Sequence, residues 1–232
     1  MQSSLPHVTC HMMVSIDGKI DGDFIESPAN AHIARYYDDE LFKLGTAWGN
    51  GSTTHKMYFS DDSVDLSRYR GQAVLREDKT FEATGPFCVT FDTHGIVFWP
   101  QNTNEYPEGV HNRVIEIVTQ SVSDEFIAYL DDKKIPRIFA GTDSIDLSLA
   151  LSKLKVLFGV QQFVITGGAK INGAFFQAGL VDAVSLVIAP SIDGSKEHKT
   201  IAELMTQSST SWKLKASTAV DAGLHLIWQK VC

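Results

Sequence analysis

Continuous apolar runs alternate along this chain with segments whose apolar residues recur every three or four positions. The runs HVTCHMMVSI (7–16), FCVTFD (87–92), RVIEIVT (113–119), PRIFAG (136–141), QFVITGG (162–168) and AVSLVIAP (183–190) are mostly unbroken. Such runs predict strands covered on both faces. SPANAHIARYYDDELFKLG (27–45) predicts a helix, with Ser27 as N-cap, Pro28 at the first helical position and Gly45 past the end. SDEFIAYLDDKK (123–134) offers Ser123 as a cap, and DLSLALSKLKVLFG (146–159) sets Leu147, Leu151, Leu154 and Phe158 on one stripe before Gly159. GAFFQAGL (173–180) reads as a short helix. WKLKASTAVDAGLHLIWQK (212–230) alternates about Asp221-Ala222-Gly223 and predicts a hairpin. The order of elements predicts an α/β fold, a mainly parallel sheet with an antiparallel C-terminal edge. No linker interrupts it, so residues 1–232 read as one domain. The polar stretch 46–85 stands outside the pattern, and long connections of this kind are often functional.

Composition narrows the partners. With 44% hydrophobic and 21% charged residues, the chain of 232 residues has the profile of a globular protein with a sizeable core. A net charge of −8 and the lack of any Lys/Arg block argue against nucleic acid or an anionic membrane surface. No apolar run is long enough for a membrane-spanning helix, and MQSSLPHVTC lacks the pattern of a secretory signal. Cys10, Cys88 and Cys232 are odd in number and widely spaced, without a Cys/His ligand cluster. That usage predicts a reducing, cytoplasmic setting and no zinc site.

Three stretches carry candidate chemistry. In VITGGAKINGAFF (164–176) a strand runs into Gly167-Gly168, a four-residue spacer, Gly173 and then a helix. Glycines beyond the carboxyl end of such a strand let backbone N–H groups reach phosphate oxygens, and the helix N-terminus adds partial positive charge. The spacing is not G-x-G-x-x-G, and a tight turn without ligand reads equally well. WGNGSTT (48–54) reads either as a solvated loop or as a phosphate-donor loop through Gly49, Gly51, Ser52, Thr53 and Thr54. MVSIDGKI (13–20) ends a strand in an Asp17-Gly18 turn, with Lys19 either solvated or beside a substrate.

Taken in order, SIDGKI, ESPANAH leading to GNGSTT, and VITGGAKINGAFFQAGLVDAVSLVIAPSIDG resemble the reductase domain of bifunctional riboflavin-biosynthesis proteins. The family's usual forms are S-L-D-G-K/R, a helix opening near S-P, a G-x-x-T-V loop, and V-E-G-G followed by G-L-V-D-E, P and G. TFDTHG (90–95) is similar to the family's V-L-D-S strand end. The resemblance touches nearly the whole chain and is most specific in its C-terminal motif. It implies a dihydrofolate-reductase-like fold and an NADPH-dependent pyrimidine reductase. The implied substrate is of the 5-amino-6-(ribosylamino)uracil 5′-phosphate type, with hydride delivered to the sugar C1′ to leave a ribitylamino group. It places Thr166, Gly167, Gly168, Ala169, Lys170, Ile171, Asn172 and Gly173 around the cofactor pyrophosphate. Ser52, Thr53 and Thr54 would contact the cofactor from its other side, and Lys19 would stand beside the substrate. Asp17 shares the catalytic turn with Lys19 and is expected to fix it rather than transfer a proton. A homodimer is implied, with Leu224, Leu226, Ile227 and Trp228 as either interface or core.

The chain departs from the family pattern in places. Thr166 stands where the family has a substrate-facing Glu, HKMYF (55–59) replaces an acidic pair, and Ala183 replaces the second acid of G-L-V-D-E. Arg68, Arg70 and Arg76 are candidates for the substrate phosphate, and Lys56 and His94 for the cofactor 2′-phosphate. The H-x-E and P-C-x-x-C signature of the zinc deaminase domain is absent, so a stand-alone reductase without a metal is expected. Two alternatives stay open: a dihydrofolate-reductase-like oxidoreductase acting on another carbonyl, imine or pteridine, and a non-catalytic NADPH-binding protein.

Overall fold

The computed structural model describes residues 4–206 and 210–231; Cys232 lies outside them. In chain order the elements are β1 (His7–Val14), α1 (Ala31–Leu44), β2 (Ala47–Gly51), α2 (Ser52–Phe59), β3 (Phe87–Asp92), β4 (Thr103–Glu105), β5 (His111–Val118), α3 (Asp124–Asp132), β6 (Arg137–Phe139), α4 (Leu147–Phe158), β7 (Gln162–Ile165), α5 (Ala169–Gln177), β8 (Ala183–Ile188), β9 (Trp212–Val220) and β10 (Gly223–Lys230). They form two compact units, a middle one built on Thr46–Gln161 and a split one built on His7–Gly45 and the chain from Gln162 onward.

In the middle unit β2, β3 and β5 run parallel, with Ala47 opposite Phe87 and Phe87 opposite Arg113. β6 adds in parallel to β5, and β4 pairs with it antiparallel. Every residue of β3 is buried, which is why its sequence does not alternate. Ser123 caps α3 by accepting the Phe126 N–H, and Asp146 caps α4 by accepting that of Leu149. Gly159, at φ +70°, closes α4 in the left-handed conformation, with its N–H on the Lys155 carbonyl. Of the stripe on that helix, Leu151 and Leu154 are fully buried, while Phe158 packs edge-on against Phe87.

The polar stretch before β3 wraps this unit and is fastened by charge. Arg137, its side chain wholly buried, pairs with Asp131 at 2.6 Å and donates to the Leu75 carbonyl at 2.9 Å. Lys79 joins the same carboxylate at 2.8 Å, and the buried Tyr69 donates its hydroxyl to Asp132 at 2.7 Å.

In the split unit β7, β1 and β8 run parallel, and β10 and β9 continue from β8 antiparallel. α1 buries Ile33 and Leu41, and Ile33 joins Met13, Phe24, Val187 and Ala189 in one apolar cluster. Phe175 of α5 stacks over Phe163 of β7 at 6.1 Å. The hairpin turns at Asp221, whose φ of +50° opens the return into β10. The fold is therefore α/β with a mostly parallel sheet and antiparallel C-terminal strands, as the pattern of runs predicts.

Three local expectations are corrected. WGNGSTT is not a loop: β2 runs through Trp48 to Gly51, and Ser52 opens α2 directly. Trp48 explains this, being buried and hydrogen-bonded through its indole N–H to Asn112 at 3.0 Å. The strand expected over 162–168 stops at Ile165, and α5 starts at Ala169, four residues before Gly173. The helix expected from Ser27 opens instead with a 3-10 turn over Pro28–Asn30, while Gly45 follows the helix end as expected, in an extended conformation.

Candidate functional site

In the split unit two loops are sewn together beyond the carboxyl ends of β1 and β8. The turn after β1 closes on itself, with the Gly18 N–H on the Ser15 carbonyl and the Lys19 N–H on the Ser15 hydroxyl. Asp17 reaches across: its carboxylate accepts the Ser15 hydroxyl at 2.7 Å and the N–H groups of Asp193 and Gly194 at 3.0 and 2.9 Å. These donors, the hydroxyl first, hold its carboxyl well below the usual range. Lys19 is half-buried and donates Nζ to the His198 carbonyl at 2.8 Å. Its backbone bridges Thr200, and Asp21 accepts the Lys199 N–H at 2.7 Å. The buried Asn30 donates to the Ser191 hydroxyl and the Phe24 carbonyl.

The second feature is the junction from β7 to α5. Gly167 is buried at φ +114°, a region that side-chain-bearing residues rarely enter, and the Gly167–Gly168 peptide is cis. Gly168 is the extended N-cap of α5 and has no side chain to cap it. The first helical bond is Asn172 N–H to the Gly168 carbonyl at 3.1 Å. The N–H groups of Ala169, Lys170 and Ile171 therefore belong to the first turn and have no intrahelical partner. The spacer expected to wrap a ligand as a loop is helix instead. Asn172 is buried and donates to the Ile201 carbonyl at 2.8 Å. Gly173 faces the backbone of Glu203, where an added Cβ would lie 1.9 Å from the carbonyl oxygen. These two positions support residues 201–203 rather than a loop around an anion.

The middle unit repeats the device. Gly51 is an extended N-cap without a side-chain bond, and Ser52, Thr53 and Thr54 form the first turn of α2. Among the other candidates, Arg76 is committed to the Gln120 and Val122 carbonyls and to Asp124. Arg68 lies over the Tyr69 ring and donates to its hydroxyl. Arg70 and Lys56 are exposed. His94, also exposed, sits in a turn whose His94, Gly95, Ile96 and Val97 N–H groups all meet the Asp92 carboxylate.

One pair had no sequence signal. Asp193 holds the imidazole Nδ1 of His198 with both carboxylate oxygens, at 2.8 and 2.9 Å. The carboxylate raises the imidazole pKa above its ordinary value. Among the described residues no group of His, Cys, Asp and Glu is placed to hold a metal, and no helix is long and apolar enough to cross a membrane.

The Gly168 helix opening lies within a family match, whereas the S-x-D-G-K turn and the Gly51 opening precede it. The model of the RibD C-terminal domain covers residues 77–226. The chain belongs to that family. A 2,5-diamino-6-ribosylamino-4(3H)-pyrimidinone 5′-phosphate reductase of Methanothermobacter thermautotrophicus is 34% identical over 86 residues, 37% of this chain and 39% of that protein. RibD of Acinetobacter baumannii superimposes with a TM-score of 0.68 at 18% identity, over 100% of this chain and 59% of that one. A pyrimidine reductase-like protein of Corynebacterium diphtheriae gives 0.71 at 16% identity, over 98% of this chain and 92% of its own. The match thus spans less than half of the curated relative, and the two structural likenesses show the fold, which is dihydrofolate-reductase-like.

Proposed function

We propose that the chain is an NADPH-dependent reductase of a ribosylamino-pyrimidine 5′-phosphate. It would convert 5-amino-6-(ribosylamino)uracil 5′-phosphate, or the 2,5-diamino-pyrimidinone named for its relative, into the ribitylamino product. The observation that carries this reading is the β7–Gly167–Gly168–α5 junction in a member of this family. An extended, side-chain-free cap before uncapped first-turn amides suits a pyrophosphate, because N–H donors and the helix dipole both favour the anion. The α2 opening at Gly51 has donors of the same kind in Ser52, Thr53 and Thr54.

Bound NADPH supplies the hydride. The chain's own residues position and polarise. Lys19 spends one ammonium N–H on the His198 carbonyl, which leaves its other donors for a substrate oxygen. Asp17 is a positioning residue, its oxygens already taken by the loop it fastens. Thr166 stands where the family has Glu, and that departure favours a second reading in which the acceptor is another carbonyl or imine.

In this reading residues 1–232 work as one reductase domain in the cytoplasm, where the free thiols of Cys10 and Cys88 stay reduced. A homodimer is part of the proposal: β9 is an exposed edge strand, with Leu214 exposed on it and Leu224 exposed on the neighbouring β10.

Oxidation of NADPH, followed by its absorbance with each of the two pyrimidine phosphates and with NADH for comparison, tests the reading. We expect substrate-dependent oxidation that is weak with NADH. Gly168→Val, folded by circular dichroism, should bind NADPH at least ~10-fold more weakly, since a side chain there meets the anion. Unchanged affinity sinks the pyrophosphate assignment; NADPH binding without turnover of either pyrimidine moves the function to another acceptor.

A further inference from the structure

We propose that His198, oriented by Asp193, is the proton donor of this enzyme; the proposal rests on the reductase reading above. Its basis is the construction of the pair. Asp193 takes Nδ1 with both oxygens, and its Oδ1 also accepts the Ser195 N–H at 2.9 Å. The carboxylate is nearly buried, with 8% of its side chain exposed, whereas the imidazole keeps 36%. The fixed nitrogen thus faces inward, and Nε2 has no protein partner among the described residues. Gly22, at φ +122°, leaves room for the pair: a Cβ there would sit 2.3 Å from Asp193 Oδ2 and 2.9 Å from His198 Nδ1.

The same residue ties the imidazole to Lys19, because the His198 carbonyl accepts the Lys19 ammonium at 2.8 Å. Two donors, the Lys19 ammonium and the His198 imidazole, therefore emerge from one bridge between residues 19–21 and 198–200. The charged groups facing the imidazole are Asp193, Asp21 and Asp23, with Lys19 at its backbone; Asp17 acts on Asp193. The balance is acidic and raises the imidazole pKa above its ordinary value. A carboxylate that fixes one imidazole nitrogen and leaves the other outward is the arrangement that orients a general acid.

The step balances. C1′ of the ribosylamine receives a hydride from reduced nicotinamide and forms a C–H bond. The C1′–O4′ bond breaks, its electron pair goes to O4′, and O4′ takes the Nε2 proton of His198. C1′ is reduced, the nicotinamide is oxidised, and the neutral imidazole recovers its proton from solvent.

The test is the pH profile of kcat with NADPH and 5-amino-6-(ribosylamino)uracil 5′-phosphate for the wild type, H198Q and D193N. In the wild type kcat should fall as pH rises through the imidazole pKa. H198Q should lose about 100-fold in kcat, keep its KM for NADPH and show no such alkaline limb. D193N retains an acceptor but no charge, and its limb should move to lower pH; it carries the test where H198Q does not fold. A folded H198Q with wild-type kcat and limb, or a D193N limb that stays in place, overturns the proposal and leaves the pair as a loop staple. A wild type that binds NADPH and reduces neither pyrimidine overturns the reductase reading itself.

Discussion

His225 donates its Nε2 proton to the Ser185 hydroxyl across 2.7 Å, and the direction of that bond is forced. The neighbouring His11 places Nε2 on the Tyr37 carbonyl at 3.0 Å, which accepts only. His11 therefore carries its proton on Nε2, and Nδ1 accepts from Ser185 at 2.9 Å. With its own proton spent, Ser185 accepts from His225, whose Nδ1 in turn accepts the Tyr36 hydroxyl at 3.0 Å. The chain of bonds ties β1, β8 and β10 to α1 and is fully satisfied only when both rings are neutral. Burial favours that state, pushing His11 down to about 4 and lowering His225.

Acid should therefore loosen the split unit. The folded-state pKa of His11 lies below its ordinary 6.5, so the unfolded chain binds the extra proton between the two values. Stability is complete above about pH 6.5 and declines as pH falls toward about 4. Ser185→Ala leaves His11 Nδ1 and the His225 N–H unpaired in a buried site, at a cost of about 2–4 kcal/mol. Urea midpoints of the wild type and S185A across this range are the measurement. In a Glu116→Gln background, which removes an opposing pH dependence, a midpoint that stays flat down to about pH 5 would contradict the relay.

The opposite dependence is expected from Glu116. It is fully buried opposite Thr90, accepts the Trp99 indole N–H, and has Asp92 as a charged neighbour. Burial first, and Asp92 second, raise its pKa well above the usual 4.5. The folded protein then holds a proton that the unfolded chain has released, so this contribution is complete below the usual value and fades as pH rises. Glu116→Gln should match the wild type at about pH 5 and exceed it in urea midpoint at about pH 9. Equal losses at both pH values would show an ionised Glu116 in the fold.

Gly173→Ala should cost about 3 kcal/mol or more, because its methyl group meets backbone that cannot move without releasing residues 201–203. Ala174, the next position, is exposed on the same helix, and Ala174→Ser should be close to neutral. Thermal melts of the two variants make the comparison; a mild G173A would mean that the Glu203 segment yields.

What the amino-acid order determined by itself was the local grammar. The unbroken apolar run of β3, the Ser123 cap of α3 and the Gly159 end of α4 depend on neighbours a few residues away. Period and capping chemistry are local, so they can be read before folding. The glycine junctions were legible as unusual but not as what they are. A helix capped by Gly168 carries no side-chain signal, so α5 was expected four residues late, and β2 was hidden by its own two glycines.

Tertiary structure alone decided which side chains meet. Gly173 exists for Glu203, thirty positions away. His11, Ser185 and His225 come together because parallel pairing of β1 with β8 and antiparallel pairing of β8 with β10 align strands distant in sequence. Asp193 finds His198 because Asp17 and Asp21 hold both ends of that loop. Each contact spans a separation across which residue order imposes no geometry, and only the packed sheet and its sewn loops close the distance.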